Sequence, residues 1–197
     1  MEDTRALDVE RIRDRLGRRA ALRIDAAGDP FAAVALILAG GPHDPTILFI
    51  ERAAPPAQES RLYVAGIDGR NVRLLATDSF IGAPAWSPDG QRIAFEGEDP
   101  ARCSHPLPRC ARGEVRLVRP DGTGLSMWVP RGIAPSWSPD SRRIAFAGHY
   151  NPYYRRGVIS VAAVGDTSRI REVSSLEYQS WPDWKLRWSP RGGLVTY

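Results

Sequence analysis

From residue 60 onward, apolar residues come in short bursts separated by polar or turn-forming residues. Leu62-Tyr63-Val64, Ile93-Ala94-Phe95 and Ile144-Ala145-Phe146 are examples, as are the stretches 72–75, 115–118, 125–129, 158–161 and 170–173. Bursts of that length, bounded by Asp68-Gly69, Asp121-Gly122 or Gly165-Asp166, predict short strands joined by tight turns. Two apolar runs precede them, at 31–39 and 46–50. The turn cluster Gly40-Gly41-Pro42-His43-Asp44-Pro45 between the two predicts a β-hairpin. Before Gly28-Asp29-Pro30 the period changes. Val9, Ile12 and Leu16 follow helical spacing, so residues 6–20 are expected to form a helix with Asp8 as its N-cap.

The strands repeat. W-S-P-D-G occurs at 86–90, W-S-P-D-S at 137–141 and W-S-P-R-G at 188–192, so Trp86, Trp137 and Trp188 stand 51 residues apart. The similarity extends through I-A-F in the first two copies, over 86–97 and 137–148. Val195 and Tyr197 take the Ile and Phe places in the third, over 188–197. A fixed period of this size marks stacked supersecondary units. Trp86 and Trp137 are expected to be buried plates between neighbouring units. Ser87-Pro88 and Ser138-Pro139 start a tight turn, and Asp89 and Asp140 accept amide hydrogens within it. Gly90 and Ser141 take its left-handed position. A four-stranded unit cannot bury both faces alone, so the units must stack.

These repeats resemble the blades of the TolB-type β-propeller, whose signature P-x-W-S-P-D-G followed by I-A-F is matched by Pro84-Ala85-Trp86 and Pro135-Ser136-Trp137. In the third copy Ser189 and Pro190 are kept, but Lys185-Leu186-Arg187 precedes the tryptophan and Arg191 replaces the turn aspartate. The resemblance spans about residues 60–197. It implies an all-β fold: a partial propeller of about three to three and a half four-stranded blades over 31–197, after a helix and linker over 1–30. It further implies a non-enzymatic, protein-binding scaffold of the cell envelope, in the periplasm or outside the cell. Similar blades occur in prolyl-oligopeptidase-like serine peptidases, so the propeller part of such an enzyme without its catalytic domain is the alternative. Three and a half blades do not close a ring. A bare blade face is expected at each end, with self-association through it.

A second, weaker resemblance covers about 50 residues. The Arg-rich helix, A-A-V-A-L-I-L at 32–38 and I-L-F-I-E-R-A at 47–53 look like the entry to a Nudix hydrolase. The Nudix box that would hold a divalent metal is absent. Arg171-Glu172 is followed by Val173-Ser174-Ser175, without the paired glutamates, so this reading implies a degenerate relative without the chemistry.

Composition narrows the classes. The chain has 197 residues, 43% of them hydrophobic and 25% charged, which excludes wholesale disorder and fibrous folds. No apolar run approaches the roughly 20 residues of a spanning helix, so no membrane span is expected. The net charge is +4, and every basic residue except Lys185 is arginine. That bias fits base composition better than nucleic-acid binding. The cluster Arg11, Arg13, Arg15, Arg18 and Arg19 reads as a solvated helix face, with a patch for nucleic acid or anionic lipid as the other reading. No nucleic-acid partner is expected.

Candidate chemistry is sparse. There is no G-x-S-x-G, no phosphate-binding glycine loop and no cofactor signature. His43, His105 and His149 lie in sequence without a paired nucleophile. Cys103 and Cys110 flank S-H-P-L-P-R, which suits a disulfide-pinned loop, a metal site with His105, or two free thiols. The family resemblance favours the disulfide. Residues 31–40 are similar to a signal-peptide core but lie too far into the chain. Glu96, Glu98 and Asp99 form an acidic cluster that suits either a solvated loop or calcium. Tyr150, Tyr153, Tyr154, Arg155 and Arg156 have the aromatic-basic character of a protein-contact surface, or of packing between blades.

Overall fold

The computed structural model describes residues 37–39, 46–52, 59–66, 70–98, 113–151, 156–177, 186–193 and 195–196. The helix expected over 6–20 lies outside them. All the described regular structure is antiparallel β. The first sheet comprises β1 (Ile37–Ala39), β2 (Thr46–Arg52), β3 (Ser60–Gly66) and β4 (Arg73–Asp78), and the second β5 (Ile81–Trp86), β6 (Ile93–Glu98), β7 (Gly113–Val118) and β8 (Ser126–Val129). The third holds β9 (Gly132–Trp137), β10 (Arg143–Asn151), β11 (Arg156–Ala163) and β12 (Asp166–Glu177), and a final pair is β13 (Arg187–Trp188) with β14 (Val195–Thr196). In each full sheet the spatial order follows the chain order. This is the blade meander, and the described residues form three blades and a strand pair in the inner place of a fourth.

The described parts of the hairpin expected over 31–50 belong to the first blade. β1 pairs with β2, and β2 pairs with β3 from Thr46↔Gly66 to Arg52↔Ser60. The described residues of the segment that looks like a Nudix entry, 37–39 and 46–52, are therefore the inner strands of a propeller blade.

The tryptophan motif works as a lock between blades. Trp137 is buried among Val115, Leu117, Ile144 and Phe146, and its indole Nε1 donates to the Ala85 carbonyl of the preceding blade at 3.0 Å. Trp188 repeats the contact one blade on, donating to the Ser136 carbonyl at 2.8 Å. Trp86 is only half-buried, packed against the core of Leu48, Leu62, Ile93 and Phe95. Its Nε1 has no hydrogen-bond partner. The register puts Leu38, partner of Ile47, in the tryptophan place, and Ile37 where Ala85 and Ser136 stand, so the first blade carries no tryptophan plate.

The turn below each tryptophan is held by its serine and aspartate. Ser87 Oγ lies 2.6 Å from Asp89 Oδ1 and accepts the Arg92 amide at 2.9 Å. Ser138 makes the same pair of contacts with Asp140 and Arg143, at 2.6 and 2.9 Å. Asp89 and Asp140 also accept the amides of Gln91 and Arg142. Gly90 and Ser141 both have positive φ, 71° and 59°. The strain at Ser141 is offset across the blade boundary, where its hydroxyl accepts the Asp89 amide.

These hydrogen bonds, first those from the serines, hold the carboxyls of Asp89 and Asp140 below the ordinary aspartate value. A depressed folded pKa contributes stability above the unfolded value of about 3.9, and loses it as pH falls through the folded one. Asp89→Asn with Asp140→Asn is therefore expected to lower the melting temperature at neutral pH and to flatten its decline below pH 4. An unchanged acid limb in thermal melts would remove the turns from the account.

One expectation needs correction. On the side of the first blade turned away from the second, Ile47, Phe49 and Ala65 are 0, 5 and 2% exposed, and Phe49 stacks on Tyr63 with ring centroids 5.1 Å apart. These residues do not form the bare apolar face expected at the N-terminal end.

Candidate binding surfaces

Blade topology divides the loops between two rims. The tight Ser-Pro-Asp turns and the β3–β4, β7–β8 and β11–β12 turns lie at one rim. The connections from second to third strand, and from each blade to the next, lie at the other. The second-to-third connections follow Arg52, Glu98 and Asn151, and they hold the long insertions of this sequence. Cys103 and Cys110 fall in the second of them and lie outside the described residues. Tyr153, Tyr154 and Arg155 fall in the third and also lie outside. Tyr150 is in β10 and Arg156 opens β11, where Asn151 pairs with Arg156, so the backbone brings these two to the root of that connection. His43 and His105 are outside the described residues, and His149 is within β10.

The acidic cluster is not where the sequence suggests. Glu96 and Glu98 belong to β6 itself rather than to a loop after it, and Asp99 is outside the described residues. Among the described residues no three metal-ligating side chains come together.

Sequence reasoning missed a buried ionic group at the insertion-bearing rim. Asp78, at the end of β4, meets Arg116 of β7 at 3.0 Å, and Arg116 meets Glu114 at 2.5 Å. Asp78 also accepts the amides of Ser79 and Glu98, tying the first blade to the second. Gly97 makes room for the group, because a Cβ there would sit 2.7 Å from Asp78 Oδ2 and 2.8 Å from Arg116 Nε. Burial pushes the Asp78 carboxyl above its ordinary value, against the pull of the Arg116 charge. Beside this group Arg52 lies over the Phe80 ring, 5.3 Å from its centroid.

A second surface is a groove of about 520 Å³ between the third blade and the half-blade. Ile159, Val161 and Val173 supply its apolar wall, and Arg143, Arg169 and Arg171 its charge. Arg143 stacks on Trp188 at 5.1 Å from the ring centroid. Among the described residues that line the groove, none is acidic.

No family model matches the chain. It is 32% identical over 101 residues to the Tol-Pal system protein TolB of Alcanivorax borkumensis, a match that covers 50% of this chain and 22% of that protein. An oligogalacturonate lyase in complex with manganese superposes with a TM-score of 0.59 at 17% identity, over 86% of this chain and 47% of that one. The β-propeller domain of the Trilobed protease from Pyrococcus furiosus, described as having an open velcro topology, gives a TM-score of 0.55 at 13% identity. It covers 76% of this chain and 43% of that domain. The fold is that of a β-propeller. The chain spans under half the length of each of these relatives. Among the described residues no helix is long and apolar enough to cross a membrane.

Proposed function

We propose that the chain is a non-enzymatic protein-binding propeller module that acts as a docking scaffold in the cell envelope. The observation that carries this reading is the match to a Tol-Pal system protein over 101 residues, in a chain whose blades are locked by the tryptophans of its W-S-P motifs, Trp137 and Trp188. Rigid blades present the second-to-third connections together on one rim, and such loops are the usual place for recognition on a rigid scaffold. Tyr150, Tyr153, Tyr154, Arg155 and Arg156 are the proposed contact residues. A disulfide between Cys103 and Cys110 would pin the neighbouring connection in a periplasmic or extracellular setting.

The test starts from capture of an envelope protein on the immobilised chain, followed by titration of that protein in purified form. Tyr153→Ala with Tyr154→Ala and Arg155→Ala is expected to weaken the complex at least tenfold and leave the melting temperature unchanged. Equal affinity of wild type and variant would remove the loop from the reading. A second reading, the propeller part of a serine peptidase, draws on the likeness to the Trilobed protease domain. A G-x-S-x-G segment in the adjoining reading frame would favour it.

A further inference from the structure

The two rims differ in charge. At the tight-turn rim, the described residues 70–73, 87–92, 119–125 and 138–143 include Arg70, Arg73, Arg92, Arg119, Arg142 and Arg143, against Asp89, Asp121 and Asp140. Asp68 lies outside the described residues. The three aspartates bond within their own turns. Asp89 and Asp140 hold Ser87 and Ser138, and Asp121 accepts the Thr123 amide and hydroxyl at 2.8 and 2.7 Å. Among the described residues Arg73, Arg92, Arg119 and Arg142 form no salt bridge. On the insertion-bearing rim the balance reverses. Glu59, Asp78 and Glu114 gather there, each paired with Arg61 or Arg116.

The tight-turn rim also carries exposed aliphatic side chains. Every large hydrophobic residue that is exposed among the described ones lies on an outermost strand or one residue before it. Leu74 and Met127 hold one register place, opposite Tyr63 and Arg116, and Val72 and Leu125 stand two residues before them. Leu125 and Met127 are 44 and 46% exposed although their blade has a full blade on either side, so their exposure does not depend on where the described blades begin or end. Arg119 lies along Gly124, one residue from Leu125, where its guanidinium would be 2.9 Å from an added Cβ. Arg73 of the first blade reaches the Pro120 carbonyl of the same turn at 3.5 Å. The Asp89 amide donates to Ser141 Oγ, so the tight turns of the second and third blades stand side by side.

We propose that the tight-turn rim rests on an anionic lipid surface. Arg73, Arg92, Arg119 and Arg142 meet the lipid phosphates, and Val72, Leu74, Leu125 and Met127 enter the upper part of the acyl layer. Guanidinium groups bind phosphate oxygens through charge-assisted hydrogen bonds, and surface attachment grows with apolar area buried beside such cations. Aliphatic side chains among the cations select a bilayer over a nucleic acid, whose phosphate backbone offers them nothing to bury against. Laid on a membrane in this way, the chain turns its insertion-bearing rim, with residues 150–156, away from the lipid. The proposal goes beyond the protein-binding reading and uses the opposite rim.

Sedimentation of the full chain with vesicles tests it. Vesicles of phosphatidylcholine and phosphatidylglycerol in equal parts are expected to carry the chain down, and vesicles of phosphatidylcholine alone to leave it in solution. Arg92→Ser with Arg119→Ser and Arg142→Ser should weaken binding at least tenfold, and lysine at the same three positions should keep it. Leu125→Ser with Met127→Ser should also weaken it at least tenfold. All five side chains are exposed, so the fold is expected to survive, which an unchanged melt would verify. Equal binding to both kinds of vesicle, or to neither, would overturn the proposal. Binding that ignores the serines at 125 and 127 would make the rim a general polyanion surface and overturn it too. Duplex DNA that displaces the chain from the vesicles would assign the rim to nucleic acid, with the same consequence. None of these outcomes touches capture through residues 150–156, so failure here is separable from failure of the module reading.

Discussion

Trp137→Ala is expected to destabilise the chain by about 3–5 kcal/mol, the scale for removing a large buried aromatic. Two losses combine. The cavity opens among Val115, Leu117, Ile144 and Phe146, side chains drawn from two blades, so neither blade alone can collapse to fill it. The Ala85 carbonyl also loses the indole that crosses the boundary. Trp137→Phe restores much of the volume but not the donor, and should recover part of the loss. Trp86→Ala should cost less, because that indole is half-exposed and its Nε1 has no partner to lose. Denaturant titration of the three variants checks the ranking. Equal effects at Trp86 and Trp137 would mean that the hydrogen bond between blades contributes nothing.

The repeat was legible because its residues carry their own geometry. Tryptophan, Ser-Pro, turn aspartate and a left-handed glycine each do one local job, and 51 residues later the same jobs recur. Counting strands between the motifs then gave three blades and a half. Other features depend on partners far apart in the chain. Ala83 and Ala134 have φ of 43° and 51° in the innermost strands, beside irregularities in β-pairing. The A-P dipeptides there announce an extended backbone instead. Arg116 reads as the polar member of an alternating strand, and Asp78 as the start of a turn. Only the stacking of two blades buries them together. The groove was half legible. The third W-S-P motif announced the strand pair that follows β12, but matching Val161 to Leu117 and Val173 to Trp128 needed the register.

Arg116→Ala is expected to cost about 3–5 kcal/mol at neutral pH, the scale for breaking a buried ion pair by removing one partner. Arg116 stands between two carboxylates, Asp78 with a side chain 2% exposed and Glu114 with one 6% exposed. Without the guanidinium both remain buried without their cation. The pH dependence separates this charge effect from lost packing. Burial already raises the folded pKa of Asp78, and Arg116 opposes that rise. Removing Arg116 lifts the folded value further. A raised acid pKa means that the folded state binds more protons than the unfolded one, so stability falls as pH rises through the window. The gap between variant and wild type should therefore be widest near pH 7 and narrow as pH drops towards the unfolded aspartate value of about 3.9, where Asp78 is protonated in both. Asp78→Asn in the Arg116→Ala background should recover part of the loss at pH 7, because the amide keeps the shape and removes one buried charge. Urea titrations at pH 7 and pH 4 measure all three chains. A gap of the same size at both pH values would show that Arg116 acts through its aliphatic stem and not through its charge.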